Sequence, residues 1–457
     1  MRSFYKMCQI TQRQLACRLE LLKGSAKMWK YRCKSHLLSL VGSFLVGALF
    51  GLIANLVYGG ELQVYMRDIL ADAGVPAAAI PSLETYIESP LLQSLSLGIV
   101  FAGLINIVLL AQYFSSVSTF SPLIFIVLLM FASTLLLFVG IILLLPSVIA
   151  CIYGMLTLRS SLASQRKQRN ISNDDEIVRV YKIHHQLQEN VRQMAQECKK
   201  NVRKITFVYG LGIAAALCVM FFVQSFLLLA ILFIFFFMSF SYLMRYYASS
   251  LMPIRMLLYQ NCDPEACASA CIYYGMDRKG RVKIKDRILM AQALIYMDDP
   301  QLAMDVLIDY PRRDQASTLQ YWSLMATIYY MLKDEEALER CKEEANKVRL
   351  NFGTQGIMVQ NEEVASIQNK VDLMNGQFNT CKKYYLQALQ KASFPFQQVD
   401  ACYYIGMISF VEQDYSLANM YFEKVINLGN KISYVAKAKH FQSKIDALGQ
   451  TQNDEFS

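Results

Sequence analysis

Four stretches of this chain, 37–58, 91–113, 121–158 and 205–244, carry no Asp, Glu, Lys or Arg and are almost wholly apolar. A helix needs about 20 such residues to cross the hydrocarbon core of a bilayer. The first two stretches each suit one crossing. The last two, at 38 and 40 residues, would be roughly 57 to 60 Å long as continuous helices, about twice the core thickness. Each therefore reads as a hairpin of two spans, with turns expected near Val139 and Gly140 and near Val223, Gln224 and Ser225. The count is six crossings.

Basic residues keep to the cytoplasmic flanks of membrane spans. Residues 1–36 hold nine Lys and Arg against the single acid Glu20, and residues 159–204 hold eleven against five acids. The segment 59–90 sets Arg67 against Glu61, Asp68, Asp72, Glu84 and Glu88. The first two segments are thus expected inside and the third outside. Everything after Arg245 is then cytoplasmic too, as is the N-terminus. The net charge of +9 is made at the membrane, which removes the case for a nucleic-acid partner. No cleavable signal peptide is expected, because 36 polar and basic residues precede the first apolar run. That arm, with Phe4, Tyr5, Met7, Ile10, Trp29 and other apolar residues among the bases, could lie on an anionic inner leaflet or form a loose cytoplasmic arm. A chain of this type suits a bacterial cell membrane.

Within the runs there is no ionisable side chain, which disfavours ion-coupled transport. Packing signals are present instead. Ser43, Gly47 and Gly51 recur every fourth residue in the first run, and Ser94, Gly98 and Ala102 do so in the second. Small residues at that interval let helix backbones approach closely, so these two spans are expected to pack on each other. The same faces could serve a homo-oligomer.

No Ser–His pair, paired carboxylates, metal set or phosphate loop stands out, so neither enzyme activity nor a cofactor or metal is expected. The twelve cysteines have no C-x-x-C spacing. Cys262, Cys267 and Cys271 read as small packing residues. His184 and His185 read as solvated histidines. The segment around them, "SNDDEIVRVYKIHHQLQENVRQMAQECKK", begins like a capping box at Asn173 and Glu176. Ile177, Val180, His184, Leu187, Val191, Met194 and Cys198 then recur at three and four. One amphipathic helix of about 28 residues is expected, running on into the run at Ile205.

Beyond residue 245 the pattern changes to a repeat. "MAQALIYMDDPQLAMDVLIDYP", "MATIYYMLKDEEALERCKEEA", "NKVDLMNGQFNTCKKYYLQAL" and "IGMISFVEQDYSLANMYFEKV" align on Ala303, Ala337, Cys381 and Ala418, with Cys267 in an earlier half-match. The intervals are 36, 34, 44 and 37 residues. Each unit reads as two helices about a tight turn. The last carries Gly406, Ala418 and Phe422, and the second carries Trp322, Met325, Ala326 and Tyr329. On these residues the stretch 264–430 resembles the tetratricopeptide repeat family, with departures at Asn369, Cys381 and the long third interval. The resemblance implies an α-solenoid, capped by a last helix near 433–448. It also implies a concave groove for a protein partner, lined by Lys285, Gln292, Gln320, Ser323, Thr327, Tyr330, Lys370, Asp400, Tyr403, Met407 and Phe410. Co-chaperone members clamp a carboxylate with paired Lys and Asn. The matching positions here, Ile288 with Gln292, Ser323 with Thr327 and Tyr403 with Met407, lack that clamp.

The expected organisation is all-α. A basic segment (1–36) is followed by a polytopic membrane bundle (37–158), a cytoplasmic helix (159–204), a membrane hairpin (205–244), a repeat domain (245–448) and a polar tail (449–457). The expected function is a multi-pass membrane protein that displays a repeat scaffold, in contact with lipids and with a protein partner. The alternative is a pore or permease component regulated by its repeats.

Overall fold

The computed structural model describes residues 2–72, 81–117, 133–222, 238–239, 242–243, 245–350 and 353–454. These are almost entirely helical, and among them the one strand-like feature is an isolated bridge between Met276 and Val282. The chain divides into two compact units, residues 1–164 with 311–318, and residues 165–310 with 319–457.

In the first unit, α1 (Arg2–Asp72) is one unbroken helix, so the basic arm is helical rather than loose. It is followed by α2 (Pro81–Glu88), α3 (Pro90–Val117), α4 (Ser133–Ile142) and α5 (Leu144–Gln168). Met28–Glu61, Pro90–Leu110 and Leu144–Gln168 are long and apolar enough to cross a membrane. Leu45, Leu49 and Leu56 stand exposed on the first of them, as a side facing hydrocarbon requires.

The expected contact between the first two apolar runs is present. A Cβ added at Gly47 would lie 2.8 Å from the Leu97 carbonyl oxygen, one at Gly51 2.8 Å from Ser94 Cα, and one at Gly98 2.8 Å from the Phe44 carbonyl oxygen. Those distances leave room for hydrogen only, and three glycines supply it.

The turn expected at Val139 and Gly140 is absent. Gly140 lies inside α4, and the helical bonds Leu143 N–H to Val139 O (2.9 Å) and Ser147 N–H to Leu143 O (2.9 Å) carry α4 into α5. Gly140 has a different task. Its missing Cβ would sit 2.4 Å from the Gly103 carbonyl oxygen, and its own carbonyl accepts a 3.0 Å bond from the buried Asn106 amide. It brings α4 against α3 and gives a buried polar side chain a partner. Residues 121–132, which begin that apolar run, and the second expected turn at 223–225 lie outside the described residues.

In the second unit the segment 174–204 forms two helices, where one of about 28 residues was expected. The capping box forms in part: Asn173 Oδ1 accepts the Glu176 N–H at 3.0 Å, while Glu176 reaches back to the Ser172 N–H at 2.7 Å. α6 (Asp174–His184) then stops at His185, whose backbone is extended, and α7 (Arg192–Phe222) starts after a short 3-10 turn over Glu189–Val191. The break is stabilised from outside the segment by α9 (Pro264–Gly275), which follows α8 (Met252–Tyr259). Gln188 N–H donates to Ser269 Oγ at 3.0 Å, and the Gln188 amide donates to Glu265 at 3.0 Å. Backbone groups freed by ending the helix thus find partners across the interface. The buried face is consequently Ile177, Val178, Tyr181, Val191, Ala195 and Cys198, shifted from the expected stripe. α7 does run through Ile205 as expected.

The two-helix units follow where the sequence places them. They are α10 (Arg287–Tyr296) with α11 (Pro300–Leu307), α12 (Gln315–Leu332) with α13 (Glu335–Asn346), α14 (Gly353–Met374) with α15 (Phe378–Lys391), and α16 (Pro395–Val411) with α17 (Tyr415–Leu428). The last helix is α18 (Ser433–Asp454). Asp299, Asp334 and Asp414 each cap a second helix by accepting a backbone N–H three residues on. The aligned small residues Cys267, Ala303, Ala337, Cys381 and Ala418 are all buried, because the two helices of a unit meet there. Cys262 and Cys271 are buried as well. Gly406 admits the Phe422 ring, which would stand 2.8 Å from an added Cβ.

The array is not an open stack. An open solenoid has contacts between neighbouring repeats only, but here the end returns to the beginning. Tyr259 of α8 stacks on Phe396 of α16 (4.9 Å), and Tyr296 of α10 meets Tyr434 of α18 edge-on (5.8 Å). Lys431 N–H donates to the Cys262 carbonyl at 3.2 Å, and Lys431 pairs with Asp263 at 3.0 Å.

The glycine contacts of the first unit yield a direct test. Gly47→Ala should cost about 1–3 kcal/mol through overpacking. Gly42→Ala, at a helical position with nothing within 4 Å, should be neutral or stabilise by up to about 1 kcal/mol through reduced backbone entropy. Thermal unfolding of the purified chain in detergent compares the two.

Candidate functional site

Closing the array leaves a half-open cavity of about 740 Å³. Its wall is drawn from six helices: α10 gives Gln292 and Tyr296, α12 Ser323 and Thr327, α14 Glu363 and Lys370, α15 Tyr384 and Tyr385, α16 Phe396 and Asp400, and α18 Tyr434. First helices of the units contribute most of it.

Lys370 is the principal cation of the wall. It is buried, donates from Nζ to the Tyr385 hydroxyl at 3.0 Å, and lies 3.9 Å from the centre of the Tyr404 ring, with Tyr330 and Tyr385 at 5.4 and 5.6 Å. The ring faces offer the largely buried ammonium a negative quadrupole. Burial still pushes its pKa below the ordinary lysine value, and the Asp400 charge opposes that shift. Asp400 shows the reciprocal balance: burial raises its pKa, while Lys370 and the hydroxyls of Tyr296 and Tyr434 pull it down. Tyr296 donates to Asp400 at 3.3 Å. Glu363 is also pushed up by burial, partly offset by its hydrogen bond with Ser323.

The tyrosines form a continuous stack beneath. Tyr385 and Tyr404 lie parallel at 4.6 Å, and Tyr403 and Tyr434 do so at 4.1 Å. These pairs fix the ring positions by which Lys370 is held.

Of the eleven residues expected to line a groove, Gln292, Ser323, Thr327, Lys370 and Asp400 come together on this cavity. The other six go elsewhere. Tyr403 is buried against Tyr434, and Met407 and Phe410 pack into the hydrophobic core beside it, Phe410 against Phe441 at 5.0 Å. α18 covers the face that these three would present, so packing takes them. Tyr330 supports Lys370 from behind. Lys285 precedes α10 and lies over the Tyr274 ring at 4.8 Å, and Gln320 is exposed. Neither lines the cavity. Sequence reasoning missed Glu363 on the first helix α14, Tyr384 and Tyr385 on the second helix α15, and Phe396 and Tyr434, which reach the cavity through ring closure.

A smaller cluster lies apart from the cavity. His184 Nδ1 and His185 Nε2 stand 2.8 and 3.1 Å from the same Asp299 oxygen. His185 is only 15% exposed in its side chain, so the pair is not simply solvated.

No family model matches the chain, and neither the curated proteins nor the solved structures contain a match. The repeat resemblance therefore rests on the sequence alignment, beside which the helix pairs stand as an independent description.

The raised pKa of Glu363 gives a pH dependence. Above the ordinary glutamate value of about 4.3, the folded chain holds a proton at Glu363 that the unfolded chain has lost, so stability falls as pH rises through that window. Glu363→Gln removes this loss. Its unfolding temperature relative to wild type should be nearly equal at low pH and should rise in the variant's favour toward neutrality. Thermal melts across that range read the difference directly.

Proposed function

We propose that this is a multi-pass membrane protein whose helical repeat domain binds a protein partner in the cytoplasm and so recruits or assembles a complex at the membrane. The observation that carries the reading is the cavity, where five residues chosen by repeat alignment alone converge on one wall with fixed charges and aromatic faces. A volume of about 740 Å³ lies within the roughly 300–1,000 Å³ of sites that enclose a small ligand. The partner thus inserts a short segment rather than a long extended peptide.

The proposed topology places both basic segments and the repeat domain on the cytoplasmic side. Two sets of contacts support it. Arg169 pairs with Asp305 at 2.7 Å and Arg287 with Asp174 at 2.6 Å, tying the 165–204 segment to the repeats within the second unit. Both lie on one side of the bilayer by this reading, so residues 205–244 make an even number of crossings. Within the first unit, Arg312 donates to the Tyr31 hydroxyl at 2.8 Å, which joins the start of the first span to the loop at 311–318.

Labelling of single cysteines placed at Gln186 and Ser317 in sealed membranes, within a variant lacking the native thiols, tests the topology. Both should resist a membrane-impermeant reagent from outside and react after permeabilisation. Labelling of Gln186→Cys alone from outside would overturn the even count.

The binding function is tested with the full chain, because a fragment starting at residue 250 would strip α6 and α7 from α9. Crosslinking in native membranes should capture a partner with wild type. Thr327→Trp, which projects a large ring into the cavity, should reduce that capture at least tenfold with the fold retained. Undiminished capture by this variant would place binding elsewhere. Solute flux through the purified chain, with no captured partner, would replace the scaffold reading by a pore.

A further inference from the structure

We propose that His184, His185 and Asp299 form a binding site for a divalent transition-metal cation of the zinc class, joining the end of α6 to the start of α11. The inference is independent of the partner-binding reading and concerns a different part of the second unit.

The geometry begins with the backbone. Adjacent residues in a helix point about 100° apart and do not share a face. Here α6 ends at His184, and His185 takes an extended conformation with φ −137° and ψ 158°. That change of direction lets two consecutive rings converge, with centroids 6.1 Å apart. His184 presents Nδ1 and His185 presents Nε2, and the two nitrogens and the Asp299 oxygen all lie within 4.8 Å of one another. In tetrahedral zinc coordination, donors at about 2.0–2.2 Å from the metal are roughly 3.3–3.5 Å from each other. The two nitrogen–oxygen separations, 2.8 and 3.1 Å, need to open by only a few tenths of an ångström. The half-exposed His184 ring has the freedom to adjust.

The carboxylate is fixed for the task. Asp299 caps α11 by accepting the Leu302 N–H on Oδ1 at 3.1 Å, which leaves Oδ2 aimed at both rings. Such a partner orients a ligand much as a second hydrogen-bonding group orients ligands in known metal sites. His185 is backed by the Tyr181 ring at 5.3 Å. The neighbouring Asp298 is paired with Lys437 at 2.7 Å and is thus engaged elsewhere. Imidazole with one carboxylate favours zinc, nickel or copper over the hard cations magnesium and calcium. Three protein donors leave a fourth position for water or for a donor from another molecule.

In the unloaded protein each ring can give Asp299 one hydrogen bond. Metal binding replaces those two N–H contacts by two nitrogen–metal bonds and one oxygen–metal bond, with the ring protons moved to the far nitrogens or released. The result ties α6, which leads toward the apolar run through α7, to the first full repeat by coordinate bonds.

The test uses the tag-free full-length chain in detergent, freed of metal by chelation and titrated at pH 7.5 with Zn²⁺ by calorimetry and with Co²⁺ by visible absorption. The expected result is one Zn²⁺ per chain and a Co²⁺ d–d band. His184→Ala, His185→Ala and Asp299→Asn should each weaken binding by at least the roughly 10- to 100-fold that loss of an orienting partner costs. Asp299→Asn preserves the helix cap, so it separates loss of a ligand from loss of fold. His440→Ala should bind as wild type does. Wild-type protein that binds no Zn²⁺, or that shows no Co²⁺ band, overturns the proposal without reference to any variant. Affinity that survives both His185→Ala and Asp299→Asn overturns it as well.

Discussion

The second unit is organised around the guanidinium of Arg287. It is buried to 9% exposure in its side chain against an Asp174 carboxylate at 11%. It donates to Asp174 at 2.6 Å and to the Val306 carbonyl at 2.8 Å, with Asp309 at 3.5 Å. A buried pair of this kind need not stabilise a fold more than apolar packing would, but removing one member strands the other at a cost of about 3–5 kcal/mol. Its contribution is register. Asp174 also accepts the Ile284 N–H, and Asp175 the Val282 N–H, so the first turn of α6 is fixed on the loop before α10. From there α6 lies against α11, Tyr181 reaches the Glu265 carbonyl and Ser269 of α9, and the helix has to stop where Gln188 turns back onto α9. The juxtamembrane segment is therefore part of the repeat domain's core and not a tether to it.

Closure of the repeats depends on a different chemistry. The two helices within a unit meet at buried small residues, whereas the first and last units meet through rings: Tyr259 with Phe396, and Tyr296 with Phe396 and Tyr434. Aromatic side chains combine a large apolar area with a hydroxyl that can still be satisfied. Tyr296 uses both, turning its ring to the closure and its hydroxyl to Asp400. The same contacts that shut the array thereby place a carboxylate on the cavity wall opposite a lysine. Closure and site are one arrangement, because Tyr296, Phe396 and Tyr434, rings that join the first and last units, also line the half-open cavity.

Local patterns were legible in the sequence and distant pairings were not. The small residues Ala303, Ala337, Cys381 and Ala418 marked four helix pairs because the geometry that needs them recurs at a near-constant interval. Gly47, Gly51 and Gly98 marked a close helix contact for the same reason. Gly140 misled, since a glycine serves equally in a turn and in a tight helix crossing, and only the position of Asn106 and Gly103 on α3 decides between them. The break at His185 was hidden because the periodicity of Ile177 to Cys198 continues across it. What ends the helix is Glu265 and Ser269, which lie 77 and 81 residues beyond Gln188 and leave no trace in the local pattern. His184 and His185 likewise looked solvated until Asp299, 114 residues beyond His185, came into place beside them.

A consequence follows for how the wall of the cavity is held. Lys370 has its ammonium between Tyr404, Tyr330 and Tyr385, and those rings are stacked on others that belong to the closure, Tyr404 lying edge-on to Tyr434 at 5.9 Å. The charge is thus positioned by aromatic packing instead of by a direct ion pair. Electrostatic interactions in such a low-dielectric setting are strong and sensitive to position. A shift of α18 relative to α10 would move Tyr434, and with it both the hydroxyl that faces Asp400 and the ring that buttresses Tyr404. On the proposed binding reading, the affinity of the cavity for an occupant would therefore be coupled to the seam between the first and last units. An occupant that bridges Asp400 and Lys370 would in return hold that seam shut, since the two effects are reciprocal by linkage.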